Sequence, residues 1–526
     1  MLLGTALALA VAFPSSGAFA ATPENMLVVA NRIDDITTLD PAQSFEFSGS
    51  DVLRNLYGSL VNFDPMNLDA GFQPDLAESW EVSEDGTEIV FTMAQGPTFA
   101  SGNPVTAEDA EFSLRRVVQL EKTPSFILTQ FGFTPDNVEE RIVPDGDTLT
   151  LTLDKPYATS FVLNCLTATV GSIVEKAAVL EHETDGDLGN EWLATNSAGS
   201  GPYELVAWKP SESVSLRENE HWYGEAPAMK RVIIQHVQES ATQRLLLENG
   251  DVDVARNLNP EDVAGIRDAE GLKVVDELRG RLMYTSFSQK HPELSKPKVV
   301  EALKYLIDYE GMQDSFLKGQ YTIHQNFLPQ TYFGAIDDAP YSLDVEKAKG
   351  LLAEAGADGG FTIEVGVREA QERLEIAQSL QNTFAQADIT LELSIGTGKQ
   401  VLTRYRAREL DMYIGEWGPD YPDPQTNAGT FAYNPDNSDE AQATGLLAYR
   451  NAWDPGELTA MVDEAVLEGD AEKRRGMYEE IQRKFLESAP FAIMFQKTEQ
   501  MGMQENVENL SLGAAVTAAA YWPVTK

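Results

Sequence analysis

Between Phe361 and Glu416 the chain alternates strand-like and helix-like runs, and this alternation limits the possible folds more than any other feature. Phe361–Val367 reads as a strand, Glu372–Ala387 as a long helix and Thr390–Ile395 as a strand. Gln400–Glu409 then reads as a helix and Met412–Glu416 as a strand. Strands that run the same way in one sheet need a long crossover, which an intervening helix supplies. The reading is therefore an α/β unit with a largely parallel sheet. Helical periodicity recurs at Lys298–Tyr309, with Val300, Leu303 and Ile307 on one face, and at Asp344–Ala355, stopped by Gly356. Two more helices are expected at 456–468 and 471–487.

The N-terminal half reads differently. Met26–Ala30 is a short buried strand, and Asp51–Leu60 is read as a helix. Glu84-Asp85-Gly86 leads into alternating Ile89, Phe91 and Met93, and Asp145-Gly146-Asp147 leads into alternating Leu149, Leu151 and Leu153. Each is a turn followed by a strand with one buried face. Between them, Thr106 with Asp109 forms a capping-box pattern that opens a helix through Leu120.

Length and charge exclude several functions. The 526 residues correspond to three domains or one large two-lobed body, at roughly 150 residues per domain. Eighty-three acidic against 39 basic residues give a net charge of −44. Such a chain repels phosphate backbones, so no nucleic-acid partner is expected, and anionic lipid surfaces are disfavoured. The one cysteine, Cys165, excludes an intrachain disulfide and a Cys-based zinc site. The five histidines (His182, His221, His236, His291, His324) show no helical metal spacing. No Gly-x-Ser-x-Gly elbow or His-Glu-x-x-His motif is present. Gly396-Thr397-Gly398-Lys399 lacks the earlier glycine of a phosphate loop, and Gln400 replaces its Ser or Thr. Asp185–Gly189 lacks calcium-loop spacing. No catalytic residue, metal or cofactor is expected.

Leu2–Phe13 is apolar and uncharged, and Ala18-Phe19-Ala20 follows as a small-x-small site. This is the pattern of a secretory signal, with cleavage expected after Ala20. The apolar run is shorter than a membrane span of about 18 residues. The expectation is an exported, periplasmic protein.

Four stretches together resemble one family. They are Pro74–Thr87 running on to Met93, Gly102–Asp109, Gly199–Val206 followed by Asn219–Gly224, and Trp417-Gly-Pro-Asp420-Tyr421-Pro422-Asp423-Pro424. In this order and spacing the chain resembles the periplasmic oligopeptide- and dipeptide-binding proteins of ABC importers, extracellular solute-binding family 5. The resemblance covers nearly the whole mature chain. It implies an α/β, two-lobed type II periplasmic binding protein with an extra domain inserted in the first lobe, the arrangement called cluster C. Lobe one would comprise 21–278 with the extra domain near 75–190, lobe two 279–487, and 488–526 would return to lobe one. The crossings would lie near Arg279–Tyr284 and Ser488–Phe491.

The implied function is capture of di- or short oligopeptides between the lobes, then delivery to a membrane permease and its ATPases by a monomeric receptor. The alternative solute is an opine, an oligosaccharide or a metal chelate. Pro422 and Pro424 fix a loop after the strand at 412–416, and loops at the carboxyl ends of such strands face the crevice. By resemblance, Asp420 pairs with a peptide ammonium, with Trp417 and Tyr421 beside it. Arg368, matched by its spacing to Asp420, takes a carboxylate; its alternative is a surface ion pair with Glu369 or Glu372. Phe45, Glu46 and Phe47 line the cleft from the first lobe. Arg404, Arg406 and Arg408 are read as solvated. Ser288, Val300-Glu301 and Phe99–Gly102 depart from common family residues, which bears on the substrate more than on the fold.

Overall fold

The computed structural model describes residues 22–64, 71–513 and 519–526. The signal-segment expectation for residues 1–20 lies outside them. The described chain is mixed α/β, and its largest sheet has eleven strands. From one edge the order is Ile389–Gly396, Phe361–Arg368, Met412–Trp417, Leu272–Phe287, Phe491–Gln504, Val254–Ala255, Met26–Asn31, Arg231–His236, Ser213–Glu218 and Tyr203–Lys209. Tyr321–Ile323 pairs with Phe491–Gln504 beside this path.

The alternation read at 361–416 is present as expected. Phe361–Arg368 runs parallel to both Ile389–Gly396 and Met412–Trp417, with helices Gln371–Phe384 and Gly398–Arg406 as crossovers. At the other end Met26–Asn31 runs parallel to Arg231–His236 and Val254–Ala255. Two long antiparallel strands, Leu272–Phe287 and Phe491–Gln504, join the ends. Their register breaks between Leu278 and Leu282, where Leu278 faces Thr498 and Leu282 faces Gln496. A break of this kind bends a strand pair. It falls at 496–498 of the second strand, several residues beyond the crossing read at Ser488–Phe491.

The two turn-plus-strand units pair with each other. Ala77–Val82, Glu88–Met93, Thr148–Thr152 and Ile142–Asp145 form a separate antiparallel sheet, with Ile89 opposite Leu151 and Phe91 opposite Leu149. All of the alternating apolar residues expected there are buried. Helix Ala107–Leu120 packs on this sheet; its capping box is complete, Thr106 N–H donating to Asp109 at 3.0 Å and Asp109 N–H to Thr106 at 3.3 Å.

Three helical readings shift. The first helix spans Phe47–Leu56, because Tyr57 is extended and ends it. The segment 298–309 splits into helices Pro297–Lys304 and Tyr309–Asp314, because Asp308 accepts from Gly311 N–H and caps a new helix. Val300, Leu303 and Ile307 are nonetheless all buried. Arg408 is a correction. The helix stops at Arg406, and Arg408 adopts a left-handed φ of 58°. Its guanidinium lies 3.4 Å from the Tyr449 ring centre and is only 8% exposed as a residue, bonded to Tyr449 and Asn437 carbonyls and to Asp439. Arg404 pairs with Glu364 at 2.8 Å.

The apolar residues gather into separate cores. One is drawn mainly from residues 42–173. Two are drawn from 282–495. A fourth joins 27–57 mainly with 174–254 and 501–524, and a fifth joins Val28 and Ala30 with 247–266.

Candidate functional site

The Met412–Trp417 strand leads directly into the site. Its last residues pair with the broken part of the long strand, Glu416 opposite Met283 and Trp417 opposite Leu282. The chain then turns through Gly418–Asp423 and enters helix Pro424–Phe431, with Asp423 capping Gln425 N–H at 2.9 Å. The Trp417 indole N–H donates to Asn427 at 3.4 Å, and its ring lies edge-on to Phe431. Trp417 therefore stands as a fixed, partly exposed wall.

Asp420 sits in this turn. Its backbone N–H donates to Thr426 Oγ1 at 3.2 Å, and that hydroxyl gives its carboxylate only a long contact of 3.5 Å. Among the described residues no cationic side chain pairs with it. Burial therefore pushes its carboxyl up to about 7, opposed only by the Thr426 hydroxyl. Asp423, three residues on, is the opposite case: it is 1% exposed and takes Arg474 in two bonds of 2.8 and 2.9 Å.

Tyr421 packs into a core. It is 6% exposed and belongs to the core built mainly from residues 42–173, its ring 5.9 Å from that of Phe161. Asn164 donates to Asp423 at 3.2 Å, and Ala158 N–H donates to the Val466 carbonyl at 3.0 Å. The 420–424 turn thus also joins the four-stranded-sheet unit to the helices at 457–488.

The positive side of the site lies one turn of chain away. Glu416 is met by Arg281 at 3.7 Å and by Arg373 at 3.6 Å. Burial would raise the Glu416 carboxyl, but Lys497, Arg281, Arg373 and Arg368 together hold it below the usual range. Apart from Glu416, the acid in reach of Arg373 is the partly exposed Glu372, at 3.9 Å. Positive charge is therefore in local surplus in a chain of net −44. Arg281 lies flat on the Phe47 ring, 3.6 Å from its centre. Its Nε is buried without a hydrogen-bond partner among the described residues.

Arg368 contributes charge to this group and makes no ion pair among the described residues, with Glu369 and Glu372 included. Its guanidinium covers Gly398, where a Cβ would come within 2.6 Å of Nη2. Phe45 and Phe47 are 39% and 38% exposed, and Phe45 stands edge-on to Phe126 at 6.0 Å. Glu46 is used locally, accepting from Thr37 and from Phe45 N–H, each at 3.2 Å.

Deeper, Glu499 joins Arg256 at 2.9 Å and Arg279 at 3.6 Å, and Asp51 joins Arg256 at 2.7 Å. Although burial opposes it, Arg256, Arg279, Arg281 and Lys497 hold the Glu499 carboxyl down at about 2. The sequence reading missed Arg281, Arg373 and Glu416. Arg281 and Glu416 are charges inside strands, and Arg373 is a buried charge in the first turn of helix Gln371–Phe384.

Among the described residues no group of three or more His, Cys, Asp or Glu is placed to hold a metal, and no helix is long and apolar enough to cross a membrane. A cavity of about 710 Å³ lies apart from these charges, between Trp222, Trp522 and Leu510.

Comparisons with known proteins agree with this architecture. The chain is 28% identical over 506 residues to the probable D,D-dipeptide-binding periplasmic protein DdpA of Escherichia coli, covering 96% of this chain and 94% of that one. It is 26% identical over 475 residues to heme-binding protein A of Haemophilus influenzae, covering 83% and 81%. In structure it resembles the periplasmic binding protein DppA of Helicobacter pylori in complex with the peptide STSA, with a TM-score of 0.79, 22% identity and coverage of 95% and 98%. The mixed α/β fold is thus that of type II periplasmic binding proteins. Residues 71–439 match the family model described as bacterial extracellular solute-binding proteins, family 5 middle region. The chain belongs to family 5 of the bacterial extracellular solute-binding proteins, which are non-catalytic components of transport systems.

Proposed function

We propose that the protein is the periplasmic receptor of an ABC importer and captures di- or short oligopeptides with a free amino terminus. One observation carries the reading. Within five residues the chain presents a half-buried carboxylate with no protein cation among the described residues, Asp420, and a carboxylate crowded by cations, Glu416. A zwitterionic ligand complements both, its ammonium meeting Asp420 and its carboxylate meeting Arg281, Arg373 or Arg368. Charge-assisted bonds of this kind strengthen when water is excluded. Trp417 and the exposed rings Phe45 and Phe47 would form the apolar walls.

In this proposal the two ends of the large sheet act as lobes, with the four-stranded-sheet unit as the extra domain of the first. Lobe one takes 21–278 and lobe two takes 279–487; the return read from 488 enters lobe one past the register break, since residues 489–495 pack in the cores drawn from 282–495. The hinge is the register break at 278–282 and 496–498, where a bend rather than a continuous ladder joins the lobes. Tyr421, Asn164 and Val466 would seal the closed form. The partners are a membrane permease with its ATPases, met by a monomeric receptor freed from its signal after Ala20.

Calorimetric titration with di- and tripeptides tests the proposal. Free peptides should bind, and N-acetylated versions should bind at least a hundredfold more weakly. Equal affinities would overturn it. A second reading, a flat non-peptide solute on the same fold, is favoured by the exposed Phe45 and Phe47 rings and would show as binding without amino-terminal dependence.

A further inference from the structure

The loop at 329–335 reaches the site from a direction the sequence motifs do not mark. Its Gln330 N–H donates to Gln496 Oε1 at 2.9 Å, and Gln496 Nε2 donates to the Arg279 carbonyl at 2.9 Å. The loop is thereby pinned across both long strands at their register break. Tyr332 N–H closes a turn on Pro329 at 2.9 Å. A Cβ at Gly280 would stand 3.3 Å from the Tyr332 ring and 3.4 Å from Pro419, so ring and proline pack on the same glycine. Pro419 is the residue before Asp420.

Tyr332 is 5% exposed, yet its hydroxyl has no hydrogen-bond partner among the described residues. A buried phenol usually finds a partner, because leaving one unpaired forfeits its bonds to water without replacement. Such an orphan in a native protein calls for a cause. Burial, helped by the charges of Asp420 and Asp423, holds the phenol well above its ordinary pKa although Arg279 opposes them, so the hydroxyl keeps its proton.

We propose that Tyr332 is a ligand-positioning residue: its hydroxyl oxygen accepts a hydrogen bond from the amino end of the ligand whose charge Asp420 neutralises. An ammonium has three N–H donors, and one carboxylate does not use them all. The inference rests on the peptide reading and deepens it. It makes the site selective for an unsubstituted amine over a mere positive charge, and it ties that amine to the strand break on which Tyr332 packs.

The test is Tyr332→Phe, titrated with one dipeptide in free and N-acetylated form, alongside Asp420→Asn. Tyr332→Phe removes only the unpaired hydroxyl, so the melting temperature of the ligand-free protein should be unchanged or higher. Affinity for the free dipeptide should fall roughly ten- to hundredfold, the range for hydrogen bonds to charged groups. Affinity for the acetylated form should not change further. Wild-type affinity of Tyr332→Phe for the free dipeptide, or an equal loss for both forms, would overturn the inference. If Asp420→Asn still lost binding, the peptide reading would survive that result. Free and acetylated forms binding the wild type equally would instead remove the peptide reading itself.

Discussion

Ligand affinity should depend on pH through Asp420, and the size of the effect follows from its surroundings. The carboxyl titrates at about 7 because burial raises it and only Thr426 assists the charged form. An ammonium is held by the ionised carboxylate, so binding must first remove the proton. At about pH 7 half of Asp420 is ionised, and at about pH 5 about one-hundredth is. The peptide's own amine, with a pKa near 8, is charged at both values. Affinity should therefore drop about fiftyfold from pH 7 to pH 5, roughly 2 kcal/mol. Neither Glu416 nor Glu499 confuses this window, because their cationic neighbours hold both below the usual range. An ordinary aspartate would remain almost fully ionised at pH 5 and give no such drop. Calorimetry in two buffers of different ionisation enthalpy would also register close to one proton released per peptide bound near pH 6. Asp420→Asn should flatten the profile. A wild-type affinity constant within about twofold across this range would refute the claim that an uncompensated carboxylate receives the ligand.

Linkage also acts on stability. Asp420 has its pKa raised on folding, so its contribution falls as pH rises from about 4 to about 7. Ligand-free Asp420→Asn should unfold at higher denaturant than wild type at pH 8, by about 2–4 kcal/mol, and no gain there would contradict the burial argument. Glu499 has the reverse sign: its stabilisation is present above about pH 4.5 and is lost as pH falls toward about 2. Glu499→Gln should weaken the acid dependence of unfolding in that interval, as followed by circular dichroism. The Asp423–Arg474 pair is buried and bidentate. Asp423→Ala or Arg474→Met alone should cost about 3–5 kcal/mol by stranding the other group, and the double variant clearly less than the sum. Additive losses in a denaturant cycle would show that the two do not act as a pair.

The α/β succession at 361–416 was legible because each element carries its own period without interruption, and helices of crossover length fix the strand direction. The two turn-plus-strand units were legible for the same reason, since their alternation survives whatever they pair with. Arg408 was not. Its burial depends on Tyr449, Asn437 and Asp439, far along the chain, and on a left-handed turn that removes it from the helical run. The register break was not legible either, because neither long strand signals which residue of its partner it will face. The Trp417–Pro424 motif marked the turn that carries Trp417 and Asp420, but not that Tyr421 is buried against Phe161. Arg281 and Arg373 carry no motif, and only the fold brings both to Glu416. Tyr332 was hidden for the same reason: its loop reaches Gly280 and Pro419 through packing alone.

The most direct test of the central claim is a crystal structure of the protein with a bound dipeptide. The account predicts the ammonium nitrogen about 2.7–3.1 Å from an Asp420 carboxylate oxygen, a charge-assisted distance, with the carboxylate end turned toward Arg281 and Arg373. A dipeptide seated in reverse, or one bound away from Asp420, would contradict it.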